Sequence, residues 1–559
     1  MKIDLISISL FISIAFTGIE ARPQHDTREQ SHYGQTIHKS RIYVSDNGDG
    51  TYTNPILQAD YSDPDVIRVG DDFYMTASSF NCSPGLPILH SKDLVNWTIV
   101  NYALKRNIPD DIYSVPQHGK GVWAPCIRFS KGEFYIFWGD PDFGVYMVKT
   151  NDPFGQWEEP VLVMSGKGII DPSPLWDEDG KVYLITAWAA SRSGINSLLT
   201  VWPMNQEGTK VTGEGKHVFD GHDAHKTVEG PKFYKKDGYY YIFAPAGGVT
   251  TGWQLILRAK DIYGPYEEKV VLAQGNTNIN GPHQGSWIET QTGESWFLHF
   301  QDKGAYGRIL HLQPVNWKNG WPVMGEDPDG DGCGQPVLMH KKPRVLGGKI
   351  WPVCSPQESD EFSSDTLGLQ WQWAANERIN WYALLRGKGY LRLFAFPKNT
   401  EAELLWNVPN LLMQKFPAPD FTATTKVKLT IEWDIWQGKQ AGLIVNGSDY
   451  SYLAVSKDEG GYKVDQIICK NADQGGLENR TASVRLSQNE VYLRVQVSSP
   501  DALCRFSYSE NGTDFMPIGE VLQAKNELWI GSKVGLFCTA EPGIRKGSYA
   551  DFDWFRIEK

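Results

Sequence analysis

The sequence predicts an all-β protein: a five-bladed β-propeller over residues 46–345, followed by a β-sandwich over residues 356–559. Three observations predict it. A short phrase, a Gly followed closely by aromatics and then by apolar residues, occurs five times in the first 310 residues. The copies stay near about 50–60 residues apart, the length of one four-stranded blade. Residues 46–345 otherwise read as short strands broken by Gly, Pro, Asn and Asp, with no amphipathic helix of 12 or more residues. Beyond this region the phrase stops while alternation continues, as in Ala423 to Glu432, Tyr492 to Ser498 and Val534 to Cys538. A stretch of about 200 residues with that pattern suits one sandwich of about a dozen strands.

Taken in order, the chain opens with Lys2, an apolar run from Leu5 to Phe16 interrupted only by Ser, and a small-residue exit ending at Ala21. This is the pattern of a secretory signal over residues 1–21, too short for a comfortable membrane span, and it predicts a secreted or periplasmic protein. Residues 22–45 are polar and are expected to form a disordered lead-in. The five phrases follow. They begin at Gly70-Asp71-Asp72-Phe73-Tyr74, Gly132-Glu133-Phe134-Tyr135, Gly180-Lys181-Val182-Tyr183, Gly238-Tyr239-Tyr240-Tyr241 and Gly293-Glu294-Ser295-Trp296. Seven to ten residues ahead of each Gly stands one marker: Asp63, Trp123, Asp171, Glu229 and His283. Five blades around one axis would aim all five markers at one pocket from equivalent places. Lys341-Lys342-Pro343, Gly347-Gly348 and Pro356 mark a boundary. In the sandwich, Asp360-Glu361-Phe362 and the closing Tyr549 to Phe555 are expected to pair as neighbouring edge strands.

Composition narrows the partners. A formal charge of −12 without a basic run argues against nucleic acid and anionic membrane surfaces, and a neutral ligand fits best. Aromatic content is 13%, with 21 Trp, enough for a few rings to stack on sugar faces after the core is filled. The seven cysteines (Cys82, Cys126, Cys333, Cys354, Cys469, Cys504 and Cys538) form no C-x-x-C pair, so neither a zinc site nor a disulfide framework is expected.

Three of the markers are carboxylates placed before Pro or Gly-Pro: Asp63-Pro64, Asp171-Pro172 and Glu229-Gly230-Pro231. Proline stiffens the turn and would hold each side chain at a fixed angle. Alone, Asp63 reads as a surface Asp-Pro turn and Glu229 as a solvated residue, whereas Asp171, preceded by Ile169-Ile170, is less readily explained as solvated. Three at the same blade position point to chemistry that needs several carboxylates around a sugar-sized pocket. Glycoside cleavage is such a chemistry: one group protonates the leaving oxygen, another handles water or the anomeric carbon, and a third can raise the donor's pKa.

These residues carry a resemblance. Asn54-Pro55-Ile56-Leu57, Asp63-Pro64-Asp65, Ser78-Ser79-Phe80, Leu94-Val95-Asn96-Trp97, Trp123-Ala124-Pro125, Asp171-Pro172-Ser173 and Glu229-Gly230-Pro231 are similar to the motifs of glycoside hydrolase family 43. The C-terminal part resembles the concanavalin A-like sandwich of its β-xylosidases and α-L-arabinofuranosidases. The resemblance implies an inverting exo-enzyme that removes terminal β-D-xylose or α-L-arabinofuranose from hemicellulose or its oligosaccharides. Asp63 then matches the general base, Glu229 the general acid, and Asp171 the carboxylate that tunes the acid. Phe80 and Trp123 match the wall around the sugar, Arg308 the Arg that holds its hydroxyls, and His283 the axial His. No cofactor is required, although in some relatives the axial His helps hold a calcium. Ser62 stands where the family more commonly has Ala, and Asp60 and Asp65 compete with Asp63 for the base's place. The alternatives are an arabinanase or exo-galactanase of the same family, or a glycan-binding propeller without activity. The sandwich is expected to support the propeller and rim the pocket. Asp327-Pro328-Asp329-Gly330-Asp331-Gly332 resembles the front of a calcium loop, but Leu338 stands at its twelfth position, so a turn is expected. Asp46-Asn47-Gly48-Asp49-Gly50 is read as a turn before the first blade strand.

Overall fold

A computed structural model describes residues 38–385, 387–398, 404–544 and 547–559. The expected signal, and the lead-in as far as residue 37, lie outside the described residues. Five four-stranded antiparallel sheets follow one another, each a simple meander in chain order. Their innermost strands are Asp65–Val69, Trp123–Ser130, Ile169–Trp176, Lys232–Lys236 and His283–Glu289. The Gly of each repeated phrase sits in the hairpin between the first and second strands of its blade. In two blades the turn has two left-handed residues, Lys131 (φ 52°) with Gly132 (φ 85°) and Asp237 (φ 50°) with Gly238 (φ 72°). That is the backbone of a two-residue type I′ turn, which asks for glycine at its second position.

The second strands read as aromatic and apolar runs because both faces are covered by neighbouring blades. In Glu133–Asp140, Phe134, Ile136 and Trp138 pack with Tyr74 and Ile88 of the first blade. Tyr135 and Phe137 on the other face pack with Val182 and Leu184 of the third. The ring closes through the chain that enters the first blade. Asn54 Nδ2 donates to the Leu312 and Val337 carbonyls, and its Oδ1 accepts the Leu312 N–H, at 2.9 Å each. The last blade's strand Arg308–Lys318 is thereby tied to the head of the first blade. The turn at Asp46 to Gly50 precedes a short strand, Thr51–Thr53, that pairs with Met339–Lys341 outside the blades, so it does not lead into the first blade strand directly. At Asp327 the loop closes on its own backbone, with Gly332 N–H donating to the Asp327 carboxylate at 3.2 Å, as expected of a turn. Among the described residues, the one α-helix is Ala190–Ser193.

The C-terminal part is a sandwich of two eight-stranded sheets, richer in strands than the sequence suggested because several are only two or three residues long. Leu443, Val445, Leu536 and Cys538 of one sheet meet Val427, Leu493, Val495 and Phe552 of the other in its core. Asp360 and Phe555 exchange backbone hydrogen bonds of 2.7 Å, so the opening and closing segments do pair. The closing strand Ser548–Glu558 is not an edge, however. It lies between Leu391–Phe394 and Phe421–Ile431. An acidic strand tolerates this place because Ala550, Phe552 and Phe555 are buried. Its outer carboxylates are neutralised: Asp551 by Arg392 at 2.7 Å and Asp553 by Lys426 at 2.8 Å.

The described end of the expected lead-in, residues 38–45, is packed rather than disordered. His38 Nε2 lies 2.6 Å from the Glu358 carboxylate, and Tyr43 donates its hydroxyl to the Pro55 carbonyl at 2.6 Å. Ile42 is buried in the sandwich core. These contacts supply the apolar burial that the polar composition of residues 22–45 conceals. None of the seven cysteines forms a disulfide, and five are buried.

Candidate active site

At the head of every innermost strand one residue adopts a left-handed backbone: Asp63 (φ 55°), Ala124 (φ 34°), Asp171 (φ 54°), Gly230 (φ 57°) and Gln284 (φ 46°). Pro follows in four blades and Gly285 in the fifth. Non-glycine residues held in this region cost on the order of 1–3 kcal/mol each, and such strain concentrates at functional sites. In three blades a bulge lies across this point, between Trp123 and Cys126, between Ile170 and Ser173 and between His283 and Ser286. A bulge lets two successive side chains face the same way. The five markers therefore occupy two adjacent positions, not one equivalent place. Asp63 and Asp171 stand at the left-handed position. Trp123, Glu229 and His283 stand one residue before it.

All five markers, with Phe80 and Arg308, line one cavity of about 350 Å³. Asp63 is buried and held from three sides. Ser62 Oγ and Ser78 Oγ donate to its Oδ2 at 2.8 and 2.5 Å, and Arg308 Nη1 reaches its Oδ1 at 3.0 Å. Arg308 Nη1 also donates to Ser62 Oγ at 2.7 Å, so Ser62 joins Asp63 to the arginine. The guanidinium sits over the Phe300 ring, 4.6 Å from its centre. Neither competitor of Asp63 enters the cavity. Asp60 accepts the backbone N–H groups of Arg308 and Gly531, both at 2.9 Å. Asp65 is paired with Arg128 at 2.7 Å.

On the same cavity, Asp171 Oδ2 accepts the Gly230 N–H at 2.7 Å and the Gln284 amide at 3.2 Å. Gly230 is required here: a Cβ would meet Gln284 Oε1 at 2.2 Å. Glu229 Oε1 lies 3.0 Å from His283 Nε2, and Glu229 is the more open carboxylate, 31% exposed in its side chain. Burial first, and then the Glu229 charge, push Asp171 up from 3.8 to about 7, against the lowering effect of the Gly230 N–H. Asp171 is thereby held in its protonated form up to about neutral pH.

This has a consequence for stability. An acid whose pKa is raised on folding favours the folded state below its unfolded pKa, and that contribution is lost as pH rises through the folded value. Ionised Asp171 therefore costs stability above about pH 7. Asp171→Asn is expected to raise Tm relative to wild type, by more at pH 8 than at pH 4. Thermal unfolding of both proteins across that range checks it, and a difference independent of pH would contradict it.

The walls are aromatic. Phe80, itself left-handed at φ 53°, is fixed by reciprocal backbone bonds to Val122 at 3.1 Å. Trp123 donates Nε1–H to the Gly119 carbonyl at 2.6 Å. The third ring, Trp529, comes from the sandwich and stands edge-on to Trp123 at 6.5 Å. Its loop is pinned by the Gly531 N–H on Asp60 and the Ser532 N–H on the Ala305 carbonyl at 2.7 Å. Sequence reasoning placed the sandwich at the rim but could not find Trp529, one of 21 tryptophans and outside the repeat. Gln284, also missed, was signalled by its place beside His283.

Among the described residues, protein side chains alone do not build a calcium site at His283. Calcium takes about six to eight oxygen ligands. Here Nε2 is engaged by Glu229, and Nδ1 is a buried nitrogen without a partner. Among the described residues no three His, Cys, Asp or Glu side chains converge to hold a metal ion.

Residues 52–322 match the sequence model for "Glycosyl hydrolases family 43", and residues 359–558 match that for the "Beta xylosidase C-terminal Concanavalin A-like domain". A putative beta-xylosidase of Xylanibacter ruminicola is 38% identical over 500 residues, covering 88% of this chain and 87% of that protein. The chain belongs to glycoside hydrolase family 43. Other family 43 relatives include a non-reducing end alpha-L-arabinofuranosidase of Bacteroides ovatus, 29% identical over 90% of this chain and 94% of that protein. The crystal structure of a xylan beta-1,4-xylosidase from Bacillus halodurans superposes with a TM-score of 0.79 at 26% identity, covering 91% of this chain and all of that one. This family 43 chain carries propeller and sandwich together over nearly its whole described length.

Proposed function

We propose that this glycoside hydrolase is an inverting exo-enzyme that releases single terminal pentoses, β-D-xylose or α-L-arabinofuranose, from hemicellulose or its oligosaccharides. One observation carries the assignment of roles. A second hollow of about 160 Å³ adjoins the first, sharing Trp123, Ile170, Thr227, Glu229 and Trp529 and adding Trp188, Asn196 and Ser197. Glu229 lines both hollows; Asp63 and Asp171 line only the larger. The group that protonates the leaving oxygen must stand between the sugar being cleaved and the part that departs. Glu229 is the one carboxylate of the three in that position.

The chemistry follows from this placement. The terminal pentose occupies the larger cavity, against Phe80, Trp123 and Trp529. Asp63, aimed by two serine hydroxyls and Arg308, takes a proton from the attacking water. Glu229 delivers its proton to the leaving oxygen, and Asp171, tied to Gly230 and Gln284, is the carboxylate beside it that orients it. His283 holds the Glu229 carboxylate, and Arg308 presents its guanidinium to the sugar hydroxyls. The single step inverts the anomeric centre, for which acid and base need about 6.5–9.5 Å between them to admit water. The relatives named for xylose and for arabinofuranose release both support a pentose.

A panel of nitrophenyl pentosides with short xylo- and arabino-oligosaccharides tests this reading. Release of one pentose at a time from the non-reducing end is expected. Internal fragments as first products, or no turnover of either pentoside, would refute it. Trp529→Ala opens one wall and is expected to raise KM about two- to twelvefold on every substrate, from the loss of about 0.5–1.5 kcal/mol of ring contact. Steady-state kinetics check this. An unchanged KM would remove Trp529 from the binding surface.

A further inference from the structure

The foot of the Trp529 loop holds a contact that the hydrolase chemistry does not use. Lys533, at the start of the sandwich strand Lys533–Ala540, places Nζ 2.6 Å from Sγ of Cys82 in the propeller. Each residue is 4% exposed. N–H···O bonds are about 2.9 Å long, and sulfur is a larger atom than oxygen, so this separation is short for a hydrogen bond to a thiol. It suits a nitrogen and a sulfur joined through one oxygen atom. Among the described residues Lys533 makes no ion pair with a carboxylate within 4.0 Å.

Both partners are fixed by backbone contacts. Cys82 N–H donates to the Ser79 carbonyl at 3.0 Å, and Asn107 Nδ2 donates to the Cys82 carbonyl at 3.2 Å. Lys533 lies opposite Lys415 and Asn446 in the sheet. Lys415 is itself buried, and burial lowers it to about 8. It also lines a cavity of about 60 Å³ with Tyr61 and Tyr102, large enough to admit a water-sized oxidant one strand away from Lys533.

We propose that Cys82 and Lys533 form an oxidative modification site: an N–O–S crosslink that joins propeller to sandwich beneath the pocket. The oxidant is hydrogen peroxide. A first peroxide oxidises the thiol to a sulfenic acid, breaking its O–O bond, forming S–O and releasing one water. Lys533, held as an ammonium by Cys82 and nearby carboxylates, first releases one proton to water, and a second peroxide accepts the sulfenic O–H hydrogen and one hydrogen from its nitrogen. The oxygen–nitrogen bond forms, and the second peroxide leaves as two waters. Four electrons pass in all, from sulfur and nitrogen to two peroxides. Two equivalents of a dithiol reverse the change, returning thiol, amine and water. The crosslink would fix Lys533, four residues after Trp529, to Cys82, two residues after Phe80. Oxidation thus locks two walls of the sugar cavity together.

The test uses the full chain, exposed to hydrogen peroxide or to dithiothreitol, then denatured, alkylated, digested and mapped by mass spectrometry. Expected is a joined pair of peptides carrying Cys82 and Lys533, heavier than their sum by one oxygen and lighter by two hydrogens. It should resist alkylation, vanish after dithiothreitol and be absent from Cys82→Ser and Lys533→Arg. Recovery of Cys82 fully alkylated after peroxide, or oxidised to sulfinic or sulfonic acid without the joined peptide, overturns the proposal. In wild type the peroxide-treated form should also have a higher Tm than the reduced form, and Cys82→Ser should show no such difference. An equal response of both proteins would likewise overturn it.

Discussion

Glu229→Ala is expected to slow hydrolysis of a natural xylosyl linkage by about 10²–10⁴-fold, the usual range for one general acid, while leaving hydrolysis of a nitrophenyl pentoside largely intact. A sugar leaving group is a poor anion and needs a proton as the bond breaks. A nitrophenolate does not. Removing Glu229 therefore penalises only substrates whose departure requires protonation. The geometry makes the substitution a clean one: Glu229 is partly open to the cavity, and its recorded side-chain partner is the His283 ring. Comparing kcat for xylobiose and for nitrophenyl xyloside in wild type and variant gives the result directly. Equal losses on the two substrates would mean that Glu229 is not the proton donor.

Asp63→Asn should lose both activities, by about 10²–10⁴-fold or more, because every substrate needs the attacking water deprotonated. Asparagine is the better replacement than alanine. Asp63 is buried against Arg308, and truncation would leave a guanidinium without its partner at 3.0 Å, a change expected to harm folding. Asparagine keeps the volume and one acceptor oxygen for the serines and the arginine. A Tm near that of wild type would show that lost turnover reflects chemistry. A variant that kept its activity on nitrophenyl pentosides would reassign the base.

Much of this site was legible because the same local chemistry is written five times. The Gly-aromatic phrase marks a hairpin, and Asp63-Pro64 and Asp171-Pro172 mark the strained entry to an innermost strand. What the phrase could not reveal is that its markers fall in two neighbouring positions. Asp63 and Glu229 look equivalent as carboxylates before a proline turn, yet Gly230 takes the left-handed place in the fourth blade and moves Glu229 one residue back. The proline marks that shift: it follows Asp63 directly, but Gly230 stands between it and Glu229. Trp529 was hidden for a different reason. Its loop reaches the pocket through Gly531 on Asp60, a contact 471 residues apart in sequence. The closing strand of the sandwich lies inside its sheet although its acidic residues read as exposed in sequence. Their partners, Arg392 and Lys426, lie more than 120 residues away.

The central claim is that carboxylates at the head of separate blades face one pentose from opposite sides, with water between the base and the sugar. Proton NMR of the first sugar released from nitrophenyl β-D-xyloside, recorded before mutarotation, tests it most directly. The account predicts α-D-xylose as the initial product. Initial β-D-xylose would show that a carboxylate attacks the sugar itself, and the arrangement of base, acid and water set out above would not stand.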